Sequence, residues 1–389
     1  MSTPSNPPPP KVAIVYHFFA HYRRAVMERL LSRETYHYLF VGDVRDPNNT
    51  GIKEWVWPNL AEFVYAPCKF IHGRYLVQRG VVSLAWRSDI TTLVFLGDVQ
   101  FVTTWFAAMV ARLRGKRVLF WTHGWTRPET GLKLLLRSSF YRLGHGLLLY
   151  GRRARQLAIK YGFRPADLYV IFNSLDYDVQ KNLRARITKD DLLQVRKRLF
   201  DEPVRPMLVC TSRLIKARGL DMLLEAIHQL DIQGHQVNLL LIGAGPERSA
   251  LEDLVKTYGL AVRFYGECYD ESELAALIMA ANVTVAPGKV GLTAIHSLAY
   301  GVPVITHDNP DDQMPEWEAI VSGKSGSTFS QGSIMGLAEA IRAWTQTEYT
   351  GDDVRRQCYE MIERFYNPDY QAAIIERAIS GQPAQEPML

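Results

Sequence analysis

The stretch Pro287-Gly-Lys-Val-Gly-Leu-Thr-Ala-Ile-His-Ser-Leu-Ala-Tyr-Gly-Val-Pro303 decides the fold. An apolar run, Val283 to Ala286, leads into it, and a second, Val302 to Thr306, closes it. The order predicts a strand, a glycine-bearing loop, a helix, a turn and a strand. A glycine loop that opens a helix leaves backbone N–H groups without intrahelical partners, aimed at one spot where an anion fits.

The same alternation extends outward in both directions. Upstream, Met207 to Cys210, Val237 to Ile242 and Val262 to Tyr265 predict strands, with helices over Leu220 to Leu230, Glu247 to Tyr258 and Glu271 to Ala280. An earlier series has strands at Lys11 to Tyr16, Thr92 to Leu96, Arg117 to Trp121, Gly146 to Tyr150 and Leu168 to Ile171. Between the two series, Asp176 to Glu202 is charged and helical, with no strand. Repeated strand–helix units predict parallel sheets covered by helices. The fold class is therefore α/β, as two Rossmann-like domains facing across a cleft. The expected division is a disordered lead-in over 1–10, an N-terminal domain over 11–178 and a connector over 179–204. A C-terminal domain over 205–351 follows, then C-terminal helices over 352–389 that pack back on the N-terminal domain.

A chain of 389 residues with 47% hydrophobic content suits two soluble domains. The four cysteines are far apart and form no Cys-x-x-Cys pair, which argues against a disulfide framework or a zinc site and fits a reducing cytoplasm. The apolar run Val12 to Ala20 is too short to span a bilayer, and Leu93 to Ala111 is interrupted by Asp98 and Gln100. Charge is uneven: residues 1–178 carry 24 Lys+Arg against 12 Asp+Glu, whereas the whole chain is only +5. A basic half suggests an anionic partner, membrane lipid or a phosphorylated substrate, or else a solvated basic surface. The stacking aromatics of RNA modules are absent, so no nucleic acid is expected.

Thr211-Ser-Arg-Leu-Ile-Lys-Ala-Arg-Gly219 follows a strand and places Arg213, Lys216 and Arg218 near its carboxyl end. Guanidinium groups match phosphate oxygens bidentately. Leu240-Leu-Ile-Gly-Ala-Gly-Pro246 runs a strand into a Gly243-x-Gly245 turn that lacks the third glycine of a dinucleotide fingerprint. These blocks, with Gly266, the 287–303 stretch and Glu318 after Pro315, resemble in order the nucleotide-sugar site of family 4 of the GT-B glycosyltransferases (glycosyltransferase group 1). Both glutamates of the family's Glu-x7-Glu motif are replaced, by Gly288 and His296.

The resemblance implies a metal-independent, retaining glycosyltransferase. It would move a sugar from a nucleotide-sugar donor to a glycan or lipid-linked acceptor, without a cofactor, in cell-surface polysaccharide or glycolipid synthesis. It assigns Arg213 and Arg218 to the diphosphate and His123 to the transferred sugar. Lys216, Gly243, Gly245, Gly266, Gly288, Lys289, Val290, Gly291, Leu292, His296 and Glu318 fall to the donor. His17, Arg23 and Asp98 fall to the acceptor side. In the family the departing phosphate is thought to take the acceptor proton, so no protein base is required. The basic residues Lys133, Arg137, Arg142, Arg152, Arg153 and Arg155 suggest a cytoplasmic enzyme resting on the inner face of the cell membrane. Loss of both glutamates keeps a non-catalytic nucleotide-sugar binder, or a sugar epimerase or phosphorylase of the same fold, as alternatives.

Overall fold

The computed structural model describes residues 9–47, 53–57, 60–346 and 351–387. The lead-in expected over 1–10 lies outside these residues except for its last two. The chain forms two compact units: one ends at Asp176 and resumes at Pro368, and the other is Tyr177–Asn367.

The first unit holds strands β1 (Lys11–Phe18), β2 (His37–Asp43), β3 (Phe63–Tyr65), β4 (Cys68–Ile71), β5 (Tyr75–Gln78), β6 (Ile90–Leu96), β7 (Arg117–Thr122), β8 (Gly146–Leu149) and β9 (Leu168–Val170). Its helices are α1 (Arg24–Leu31), α2 (Val81–Trp86), α3 (Val102–Leu113), α4 (Gly131–Tyr141) and α5 (Arg152–Lys160). Seven strands form a parallel sheet in the order β3-β2-β1-β6-β7-β8-β9, and β4 and β5 make a separate hairpin. Burial on both faces explains why the strands read as continuous apolar runs rather than as alternation. The connections from β6 to β9 all step the same way across the sheet. Right-handed crossovers therefore lay α3, α4 and α5 on one face, where they pack with Phe95, Phe120 and Leu147.

The second unit opens with α6 (Tyr177–Arg184) and α7 (Lys189–Leu199). Its strands β10 (Met207–Thr211), β11 (Asn238–Ile242), β12 (Val262–Gly266), β13 (Val283–Ala286), β14 (Val304–His307) and β15 (Gly326–Phe329) form a sheet in the order β12-β11-β10-β13-β14-β15. The pairings are parallel. Helices α8 (Leu220–Ile232), α9 (Arg248–Tyr258), α10 (Glu271–Met279), α11 (Leu292–Ala299), α12 (Ile334–Thr345) and α13 (Asp352–Phe365) cover it. In both sheets the strand order reverses at one place, between β1 and β6 and between β10 and β13. Such reversals open a crevice beyond the carboxyl ends of the strands.

Two boundaries differ from expectation. The expected connector is part of the second unit: Phe200 is buried with Leu274, Leu277 and Ile278, and Leu183, Ile187 and Leu192 pack against them. Charged residues between these apolar positions hide the stripe in the sequence. The second unit also runs past 351, because α13 buries Cys358, Ile362 and Phe365 within it. Asn367 ends α13 by donating to the carbonyls of Ile362 and Glu363 at 2.9 and 2.8 Å. The chain then returns to the first unit as α14 (Pro368–Ser380), whose Ala372, Ile375 and Ile379 pack with Val26, Met27 and Leu30.

Candidate functional site

In the second unit the crevice at the β10–β13 reversal is a cavity of about 300 Å³ walled by residues 210–213, Arg218 and residues 286–293. The loop after β10 lies directly over the turn after β11. A Cβ on Gly243 would sit 2.0 Å from the Ser212 carbonyl oxygen, and one on Gly245 would sit 2.2 Å from that of Leu214. The two glycines thus permit an approach that backbone hydrogen bonds then fix: Ser212 N to Ile242 O at 2.9 Å and Leu214 N to Ala244 O at 2.9 Å. Gly266 accepts from Gly243 N at 2.7 Å. These three glycines, assigned to the donor from the sequence, are not wall residues; they hold the loop that carries Arg213.

The opposite wall is the 287–291 loop. Arg218 Nη1 donates to Lys289 O at 2.6 Å, Lys289 Nζ pairs with Asp312 at 2.7 Å, and Val290 N donates to Gln313 Oε1 at 2.8 Å. Helix α11 starts after Gly291 with no side chain capping its N-terminus. Ala294 N turns back to Gly291 O at 2.9 Å, and the start of the helix, Gly291 to Thr293, forms part of the cavity wall. Two guanidinium groups and an uncapped helix start around one concavity can receive a diphosphate. Thr211, Ser212 and Thr293 also line it; small hydroxyl residues at strand ends gave no distinctive signal in the sequence.

Gly288 belongs to this wall, and a side chain has no room there. A Cβ would lie 2.7 Å from Ala217 O and 3.0 Å from Arg218 Cα. His296 is not among the wall residues. Its Nε2 lies 2.9 Å from Glu271 Oε1, which also accepts from Tyr300 Oη at 2.6 Å and from Gln180 Nε2 at 3.3 Å. Burial raises the Glu271 carboxyl pKa, but the hydrogen bonds led by His296 outweigh it, so the group titrates below its usual range. His296→Ala should therefore cost about 1 kcal/mol of stability or less, read as a lower Tm, because it strips a partner from a carboxylate whose side chain is 36% exposed. Donor affinity should stay unchanged in this variant. A donor-affinity loss as large as that of Arg213→Ala would instead restore His296 to the ribose. Lys216 is exposed and Glu318 buried, and neither lines the cavity.

In the first unit a cavity of about 540 Å³ lies at the ends of β1, β6 and β7, and it gathers His17, Arg23, Asp98 and His123. The Arg23 guanidinium lies 5.1–5.5 Å from the rings of Tyr16, Tyr22, Trp121 and Tyr150. Its Nη2 donates to Tyr150 Oη at 2.5 Å. Such ring faces attract a desolvated cation. The His123 ring stands 4.6 Å from that of Tyr150, and Asp98 accepts from Gln100 N at 2.9 Å. His21 turns to Lys53 O instead. The aromatic box was not evident in the sequence, since its rings come from β1, β7, the position after β8 and a short helical turn before α1.

Burial pushes His17 and His123 down to about 4 from 6.5; at His17 the Asp46 carboxylate opposes this and the Arg23 charge adds a smaller push, and at His123 the Arg23 charge adds to burial. More than a third of the His123 surface is open, but it opens into the concavity beside Arg23, so the ring feels the protein more than bulk water. The fold prefers both rings neutral. The stability this provides is present above the unfolded value of 6.5 and is lost as pH falls toward 4, because the unfolded chain takes protons the folded chain refuses. The Tm should therefore drop across that window, and less so in His17→Gln and His123→Gln; identical pH profiles would contradict the assignment.

Residues 194–364 match the family described as Glycosyl transferases group 1. That match lies within the second unit and spans less than half of the chain; the fold is that of the GT-B glycosyltransferases. It is 26% identical over 266 residues, 61% of this chain and 68% of the relative, to a Corynebacterium glutamicum GDP-mannose-dependent monoacylated alpha-(1-6)-phosphatidylinositol monomannoside mannosyltransferase. It is 35% identical over 106 residues, 26% of this chain and 27% of the relative, to a Mycobacterium tuberculosis GDP-mannose-dependent alpha-(1-6)-phosphatidylinositol dimannoside mannosyltransferase. The crystal structure of Anabaena HepE in complex with UDP superposes with a TM-score of 0.71 at 15% identity, over 95% of this chain and 99% of that one.

Proposed function

We propose that the protein is a retaining, metal-independent transferase that moves a hexose from a nucleotide-sugar donor to a lipid-linked or glycan acceptor. The carrying observation is that Arg213, Arg218 and the start of α11 line one cavity. As the glycosidic bond breaks, negative charge grows on the leaving diphosphate. Fixed positive groups already in place stabilise it without reorganising. The first-unit cavity supplies the acceptor side: His123 orients the transferred sugar, and Asp98 and Arg23 meet acceptor hydroxyls or anionic oxygens. The mannosyltransferase relatives make GDP-mannose the first donor to test and a phosphatidylinositol mannoside the first acceptor.

Calorimetric titration with GDP-mannose, UDP-sugars and ADP-sugars, followed by transfer assays, tests this reading. Binding of one donor with transfer to the lipid acceptor supports it. Donor binding without turnover in any acceptor screen would favour a non-catalytic binder, the outcome suggested by Gly288 and by the engagement of His296 with Glu271. Sugar interconversion without acceptor would favour an epimerase. Among the described residues no helix is long and apolar enough to cross a membrane.

A further inference from the structure

Several arginines of the first unit have a carboxylate partner. Arg24 pairs with Asp176 at 2.5 Å, Arg137 with Glu129 at 3.1 Å and Arg155 with Glu386 at 3.2 Å. Arg23 does not. Among the described residues no carboxylate lies within ion-pair distance of it, and the charges it feels are those of Tyr16, Tyr22 and Tyr150. Asp46 and Asp98 line the same cavity without reaching it.

A guanidinium cannot give up its proton, so burial leaves its charge in place and costs hydration. The four ring faces around Arg23 return part of that loss. They do not replace hydrogen-bond acceptors. Tyr150 Oη takes Nη2, whereas Nη1 is buried with no partner. His17 Nδ1, on the same cavity wall, is also buried with no partner. A neutral imidazole can carry its N–H at that nitrogen. Both residues are only part-buried, so each keeps some surface open. Two groups able to donate stand on one wall without an acceptor.

We propose that this wall is an anion subsite, and that the acceptor is a hydroxyl compound bearing a phosphate or a carboxylate whose oxygens Arg23 and His17 receive. This rests on the acceptor-side reading of the cavity given above and narrows it to a substrate class. The guanidinium fork matches the oxygens of either anion. A phosphate and a sugar carboxylate are therefore two sources of one chemistry. Asp98 lines the same cavity from just beyond β6; it can accept from a hydroxyl of that molecule and repels its charge, which keeps the anion at Arg23.

The test is calorimetric titration of the full chain with two matched pairs: myo-inositol 1-phosphate against myo-inositol, and glucuronate against glucose. Wild type is compared with Arg23→Gln, Arg23→Lys and Arg213→Ala. Removing one partner of a desolvated charge pair costs on the order of a hundredfold in affinity. The charged member of one pair should therefore bind wild type about a hundredfold tighter than its neutral counterpart, and Arg23→Gln should erase that preference. The pair that shows it tells phosphate from carboxylate. Arg23→Lys should lose less, since it keeps the charge but not the fork, and Arg213→Ala should match wild type. Near-UV circular dichroism, which reads Trp121 beside the guanidinium, shows whether each variant keeps the aromatic box; where Arg23→Gln does not fold, Arg23→Lys decides. A merely structural Arg23 would weaken both members of a pair alike. The same preference in wild type and in the folded Arg23 variants overturns the proposal, and so does the absence of any charge preference in wild type. A preference lost in Arg213→Ala instead puts the anion in the donor cavity and also overturns it. Nucleotide-sugar titration of the same proteins separates the two readings. Donor binding without an anion preference fells the subsite alone, and an Arg23-dependent preference without donor binding fells the transferase reading alone.

Discussion

Arg213→Ala and Arg218→Ala are each expected to lower kcat/KM for the donor by about 10²–10³, or roughly 3–4 kcal/mol, the usual loss when one fixed charge or donor at a developing anion is removed. Arg213 reaches the cavity from a loop whose course is set by the Gly243 and Gly245 contacts, so its removal should change the charge and leave the frame standing. Arg218 has a second duty, because its Nη1 holds Lys289 O. Its alanine variant should therefore also loosen the 287–291 loop and lower the Tm, which Arg213→Ala should not do. Arg218→Lys would keep the charge but lose the fork. If the stabilisation grows as the bond breaks, kcat falls; if it is already present in the ground state, KM rises. Steady-state kinetics with saturating acceptor, together with calorimetry for donor affinity, separates the two. Variants with unchanged donor affinity and unchanged rate would remove the cradle from the chemistry.

Gly288→Glu, which puts back the residue that the sequence resemblance leads one to expect, should weaken the enzyme rather than improve it. The obstacle is main chain: Ala217 O at 2.7 Å, Arg218 Cα at 3.0 Å and Arg218 C at 3.1 Å from the new Cβ. Backbone cannot rotate aside as a side chain does, so the loop carrying Arg218 or the one carrying Lys289 must shift. Overpacking of this kind costs about 1–3 kcal/mol. A displacement approaching an ångström at a positioned group costs on the order of a hundredfold in rate. Both should be visible, as a lower Tm and as a lower kcat/KM, and Gly288→Ala should already show part of each. An active, more stable Gly288→Glu enzyme would mean that the two loops part easily and that the close contact is incidental.

The strand–loop–helix reading of 283–306 and the two parallel sheets were legible because buried strands in such sheets are uninterrupted apolar runs and their helices are amphipathic. Arg213 and Arg218 were legible for a related reason: strand ends point at the crevice, so a basic loop just after β10 is placed by topology alone. The engagement of His296 with Glu271 was not legible, because helical position tells which side a residue faces, not which partner awaits it. Glu271, 25 positions upstream, reaches it through a neighbouring helix. The α6–α7 segment read as a connector because its charges outnumber its apolar residues.

The excursion of the chain through the second unit between Asp176 and Pro368 sets an order of events during synthesis. The inner unit is continuous and complete once Asn367 has emerged from the ribosome. In the outer one, Val26, Met27 and Leu30 can meet Val12, Ile14, Tyr38 and Phe40 early, but they lack Ala372, Ile375 and Ile379 through some 340 further residues until α14 arrives. A nascent chain is thus exposed to aggregation longest at its beginning, and a stop codon that deletes only α14 would damage the part of the molecule made first.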